Sequence, residues 1–134
     1  MQNILFLTID EIVRINELHI ALFGGRHGIR DFALLDSAVQ RPQASFGGKF
    51  VYQEIYTMAA VYAHGIIKNH PFIDGNKRTG MAAALVFLNA NDYEVTLSND
   101  DVYDIGIDLA TSEISYEVLA EIFKDHIFFS GEVG

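Results

Sequence analysis

The run His70-Pro71-Phe72-Ile73-Asp74-Gly75-Asn76-Lys77-Arg78-Thr79 constrains this chain more than any other stretch. Pro71 stops a helix arriving through Asn69, because the residue before a proline is pushed out of the helical region. Asp74-Gly75 is turn chemistry, since glycine accepts backbone angles that other residues resist. From Asn76 the chain reads Lys-Arg-Thr-Gly-Met-Ala-Ala-Ala-Leu-Val-Phe-Leu, a helix-prone and largely apolar sequence. Lys77 and Arg78 then fall in the first turn of a helix, where cations oppose the macrodipole. That arrangement costs stability unless an anion sits there, and the free N–H groups of a helix N-terminus already favour phosphate. The segment predicts a phosphate site with a histidine base beside it.

The length of 134 residues suits one domain, spanning 1–134, with a core of ordinary size. Half the residues are hydrophobic, and ten Phe with six Tyr supply bulk. There is no cysteine, so disulfides and cysteine-rich zinc sites are excluded. The apolar run at residues 4–7 is too short for a signal peptide and has no basic start. The longest apolar run, residues 81–88, is far short of a membrane span. These features predict a cytoplasmic protein with no membrane partner. A net charge of −9 argues against direct nucleic-acid binding, which relies on a basic surface. A local basic pocket on an acidic protein suits a small phosphate-bearing ligand instead.

Read in order, Thr8 with Glu11 fits a capping box. Ile9, Ile12, Val13, Ile20 and Phe23 follow at helical spacing, and Gly24-Gly25 ends the helix. His19 lies among them as a packed or surface residue. Residues 26–30 read as a solvated connector. Asp31 caps a short second helix over 32–40, with Phe32, Leu35 and Val39 on one side. Residues 42–50 form a flexible segment with exposed aromatics, equally a lid, a docking flap or a plain connector. A third helix over 53–69 is apolar on more than one side, which places it centrally, with His64 packed. The fourth runs from Asn76 to about Asn91, and its Ala82-Ala83-Ala84 run permits close packing. Residues 93–97 form an extended link. Ser98 opens a fifth helix to about Ala110, and Ser115 a sixth to about Phe128. With no sustained strand alternation, the expected fold is all-α, about six helices with a short flap before the central one.

The motif residues each have a structural explanation, but their spacing fits one task. A helix N-terminus binds phosphates, and a carboxylate just before it can hold Mg²⁺, which prefers oxygen ligands and substrate phosphates. A histidine upstream titrates near neutrality and can take a proton. The P-loop pattern is absent, no strand precedes the helix, and Gly24-Gly25 lacks the dinucleotide fingerprint. No second nearby histidine completes a zinc set.

The run from His70 to Thr79 resembles the signature of the Fic/Doc (Fido) family, His-x-Phe-x-Asp/Glu-Gly-Asn-Gly/Lys-Arg. Gly24-Gly25 with Gly28-Ile29-Arg30, Leu34-Leu35 with Ala38, Arg41-Pro42 and Phe87-Leu88 resemble its short death-on-curing (Doc) branch, over about residues 18–95. The resemblance implies an all-helical fold and transfer of part of a nucleotide to a protein hydroxyl. It implies His70 as general base, Asp74 as the residue that positions Mg²⁺, and Gly75, Asn76, Lys77 and Arg78 as the phosphate-binding turn. Phe72 would anchor the loop in the core. Phe46, Gly47, Gly48, Lys49 and Phe50 would be the target-docking flap.

Nucleotidyl-transferring relatives carry glycine where this chain has Lys77, and a second arginine where it has Met81. A lysine there crowds the anion hollow, and its charge can re-seat the nucleotide. Doc-type proteins resemble this chain in that lysine, and the type member of the branch is a kinase of elongation factor Tu. Gly75 matches the Fic form, where that member has alanine. The reading is therefore phosphoryl transfer from ATP to a protein such as elongation factor Tu, with adenylyl transfer as the alternative. A catalytically silent interaction protein paired with an antitoxin is a second alternative, and a metal-dependent phosphate hydrolase a third. The inhibitory pattern Ser/Thr-x-x-x-Glu-Gly/Asn of many Fic proteins is absent, since Glu132 precedes Val133. Restraint is then expected from a separate Phd-type antitoxin.

Overall fold

Helix starts are decided locally in this chain, by side chains that accept the first free amides. In the computed structural model, which describes residues 3–131, Thr8 and Glu11 form the capping box of α1 (Ile9–Phe23). Asp31 caps α2 (Phe32–Gln40), Ser98 caps α5 (Asn99–Ala110), and Ser115 caps α6 (Tyr116–Asp125). Between them stand α3 (Ile55–Asn69) and α4 (Asn76–Ala90). A 3-10 turn at Arg41–Gln43 follows α2 directly. The all-α expectation holds, with six helices among the described residues.

The core is built around α3. Met58 to Ala63, Ile66 and Ile67 are all buried, so the helix is covered on every side. The α3–α4 approach is close because Gly80 has no side chain: a Cβ there would lie 2.7 Å from Ile67 and 3.0 Å from the Ala63 carbonyl. Phe87 of α4 packs on Tyr62 at 5.0 Å between centroids and on Phe6 at 5.8 Å. The Tyr62 hydroxyl accepts from the Leu7 amide, and burial pushes its pKa up to about 12.

Two short antiparallel pairs complete the fold. The flap is a hairpin, β1 (Ser45–Phe46) with β2 (Lys49–Phe50), turned by Gly47-Gly48 with positive φ at both. Its tip residue Phe46 is 86% exposed, whereas Phe50 packs edge-on against Phe6. The second pair corrects the sequence reading. The sixth helix ends at Asp125, not near Phe128, and β4 (Ile127–Phe129) pairs with β3 (Tyr93–Val95). Ile-Phe-Phe is β-prone, and pairing with the link after α4 outweighs the continuing helical pattern. The His126 carbonyl accepts from both the amide and the hydroxyl of Thr96, which fixes that crossing. The helix starting at Ile55 rather than Gln53 is a smaller shift of the same kind. Glu132 and Val133 lie outside the described residues. No helix among the described residues is long and apolar enough to cross a membrane.

Candidate functional site

The motif loop is a helix-to-helix turn held by backbone contacts from two sides. His70 ends α3 in the left-handed conformation, with φ 48 and ψ 53, a region that histidine visits more readily than most residues. Arg30 secures it: Nε donates to the His70 carbonyl at 2.6 Å and an Nη to the Asn69 carbonyl at 2.9 Å. Those oxygens are among the orphan acceptors at the end of α3, and a planar fork of donors suits them. Residues 28–31 add backbone support. The Arg30 and Asp31 amides donate to the Pro71 carbonyl, and the Ile73 amide to the Gly28 carbonyl. Residues 26–30 are exposed as expected, but they buttress the motif rather than merely connect two helices.

Inside the turn, Asn76 acts as a clamp. Its Oδ1 accepts from the Phe72 amide and its Nδ2 donates to the Phe72 carbonyl, both at 3.0 Å. The same amide stands 3.5 Å from His70 Nδ1, long for a hydrogen bond. Phe72 is 1% exposed and anchors the loop in the core. Asn16 of α1 holds the other side: buried, it donates to the Asp74 carbonyl at 2.9 Å and to the Thr79 hydroxyl at 3.0 Å. Gly75 takes φ 79 as the N-cap of α4, an angle that glycine adopts without strain. No side chain caps that helix and its first turn carries no acidic residue, so its amides and the cations Lys77 and Arg78 form a positive end, with Asp74 just before it.

Asp74 is fixed from one side only. Its Oδ2 accepts from the Arg26 amide at 2.7 Å, made possible by Gly25, where a Cβ would come 3.1 Å from that of Asp74. The second carboxylate oxygen has no hydrogen-bond partner among the described residues. No group of three or more His, Cys, Asp or Glu side chains among the described residues could hold a metal alone. One carboxylate beside the open amides of α4 has the oxygen chemistry that suits Mg²⁺, which takes few protein ligands and completes its shell with substrate oxygens and water.

His70, Asp74, Gly75, Asn76, Lys77 and Arg78 all line one open pocket of about 910 Å³. Its polar end is the motif, and its long apolar wall is built from α4 and α5, with Met81, Leu85, Val102, Tyr103 and Ile107. None of Phe46, Gly47, Gly48, Lys49 and Phe50 lines it; the flap stands apart.

Four residues escape the sequence reading. Asn16 left a signal, as a polar residue on the apolar stripe Ile12–Ile20 of α1, where burial demands a partner. Arg30 left none. His19, read as a packed or surface residue, and Phe23, read as part of the apolar spacing of α1, both line the pocket, with Phe23 58% exposed. His19 stacks on Phe23 at 5.7 Å, and burial followed by the nearby Arg78 charge lowers its pKa below the ordinary 6.5.

The Fic/DOC family model matches residues 6–88, from the segment before α1 to the end of the motif helix. The chain is 37% identical over 100 residues to Toxin Doc of Mycolicibacterium smegmatis, covering 73% of this chain and 77% of that protein. It is 29% identical over 118 residues to Protein kinase doc of Escherichia phage P1, covering 86% and 90%. The Asn76 clamp, the open end of α4 and His70 poised beside it thus sit within the matched segment, and the chain belongs to the Fic/DOC family.

Proposed function

We propose that this chain is a Doc-like toxin that transfers the γ-phosphoryl group of ATP to a hydroxyl of a target protein, elongation factor Tu being the first to try. The observation that carries the reading is the uncapped N-terminus of α4, bearing Lys77 and Arg78 with no acid in its first turn, in one pocket with His70. The relative named as a protein kinase supports it. Lys77 stands where a nucleotidyl transferase of the family has glycine.

In the reaction His70 takes the proton of the target hydroxyl, whose oxygen bonds to the γ phosphorus. The bond from that phosphorus to the bridging oxygen breaks, and ADP leaves. The first-turn amides of α4 with Lys77 and Arg78 hold the phosphates and stabilise charge as it spreads over the transferred oxygens. The Asn76 side chain, committed to Phe72, contributes by holding the loop in register, so its part in phosphate binding falls to its backbone amide. Asp74 would hold Mg²⁺, which would supply positive charge against the phosphates. The exposed Phe46 hairpin docks the target. An antitoxin of the Phd type is the expected partner, laid along the apolar wall between α4 and α5.

Adenylyl transfer is the second reading, favoured by Gly75 in the Fic form. In it the target oxygen bonds to the α phosphorus and pyrophosphate leaves. ATP labelled at the α or the γ position, with Mg²⁺ and purified elongation factor Tu or cell extract, separates the two. Label on protein from the γ position alone supports the kinase, and label from the α position overturns it in favour of adenylyl transfer. Phosphate release with no labelled protein would mean a hydrolase, and no transfer at all a silent interaction protein.

A further inference from the structure

Arg78 stands out among the cations of the pocket for what holds it. Its guanidinium carbon lies 4.4 Å from the centroid of the Phe23 ring, well inside cation–π range. No carboxylate pairs with it: the ion pair found among the described residues is Arg14–Glu17, on the outer face of α1. Phe23 itself is more than half exposed, which is unusual for a large apolar side chain at helical spacing with buried residues. Its ring faces His19 as well as Arg78. The buried Nδ1 of His19 has no partner, so the imidazole contributes to the stack as a ring rather than as a hydrogen-bonding group.

We propose that Phe23 is a positioning residue for the anion site, an aromatic shelf that holds the Arg78 guanidinium at the mouth of α4 without neutralising it. The inference rests on the reading that Arg78 contacts nucleotide phosphate. Two requirements conflict at such a site. A long, exposed arginine loses rotamer freedom when it binds, so fixing it beforehand improves affinity. A carboxylate would fix it most strongly, but would cancel the charge that the phosphate needs. A π face attracts the cation through its quadrupole and leaves all five N–H donors free. The end of α1 is well placed for the task, because Gly24 ends the helix directly after Phe23 and leaves the ring at the pocket's edge.

The test is a double-mutant cycle on Mg-ATP affinity by calorimetry, with Phe23→Leu, Arg78→Ala and the pair. Phe23→Leu is expected to weaken binding about two- to five-fold, the range of an exposed cation–π contact. Arg78→Ala should weaken it more, and Phe23→Leu should then add nothing. Phe23→Glu should be worse than Phe23→Leu, since it pins the arginine but cancels its charge. In the unliganded protein, the Arg78 side-chain protons should show upfield ring-current shifts that Phe23→Leu removes. If Arg78→Ala weakens binding while Phe23→Leu does not, or if Phe23→Leu costs the same with and without Arg78, the shelf is wrong and the phosphate reading stands. If Arg78→Ala leaves affinity unchanged, the phosphate reading falls and this inference with it.

Discussion

Arg41 and Arg78 both lie against aromatic rings, and the contrast between them separates structure from site. Arg41 lies 5.2 Å from the Tyr116 ring and 5.8 Å from that of Tyr52. It also donates to the Tyr52 hydroxyl at 3.2 Å and to His64 Nδ1 at 2.8 Å. A guanidinium has no acceptor, so that nitrogen must be an unprotonated acceptor and His64 is neutral. Arg41 thus ties the two roots of the flap hairpin to α3 and α6, with its Nε and one Nη engaged. Among the described residues Arg78 has one aromatic ring and no paired carboxylate. Arg30 resembles Arg41, since its donors are taken by the carbonyls ending α3. Residue type and net charge do not distinguish these arginines; what their donors already hold does.

The comparison can be broken in several ways. The largest effect lies outside both arginines: His70→Ala should lower transfer about 10²- to 10⁴-fold, as for loss of a general base, with nucleotide affinity and melting largely unchanged. Near-normal turnover would remove His70 from the chemistry. Next come the arginines themselves. Arg41→Ala strands half-buried groups on His64 and Tyr52 and should cost about 1–3 kcal/mol of stability in denaturant unfolding, with Mg-ATP affinity preserved. Arg78→Ala should do the reverse, keeping stability within about 0.5 kcal/mol and losing affinity. Identical behaviour of the two variants would dissolve the distinction. Arg30→Ala should cost about 1 kcal/mol of stability, and it should lower turnover more than affinity because it frees the His70 backbone. Arg30→Lys should rescue little, having no fork.

The smallest effects are titrations. Burial first, then Arg41 and Lys68, lower the His64 pKa from 6.5, against an opposing pull from Glu117. The folded state therefore resists a proton that the unfolded chain accepts. His64 should cost nothing well above pH 6.5, and stability should decline as pH falls through that value. By NMR, Arg41→Ala should move the His64 midpoint upward. Arg78→Ala should likewise move that of His19 upward, with burial, its larger cause, left in place. An unmoved His64 midpoint would place Arg41 away from it.

Legibility followed the range of the forces involved. Helix starts were readable because Thr8, Asp31, Ser98 and Ser115 act within three residues of themselves. The motif was readable because a proline, a turn glycine and two cations on a new helix are jointly costly without a ligand. What lay beyond reach depends on partners distant in sequence. β4 is a strand only because the segment after α4 is there to pair with it. Arg30 finds the end of α3 across the fold, and Phe23 is a core-spaced residue whose partner is Arg78 rather than the core. Asn76 sat in the expected place, but its side chain faces the loop backbone, a choice that spacing does not encode.

The measurement that tests the central claim most directly is an amide and arginine side-chain NMR titration of the purified chain with Mg-ATP. The account predicts the largest shifts at the amides of Gly75, Asn76, Lys77 and Arg78 and at the Arg78 Nε–H, with the Arg41 Nε–H unmoved. Shifts concentrated around Arg41, His64 and Tyr52, with the first turn of α4 silent, would contradict it.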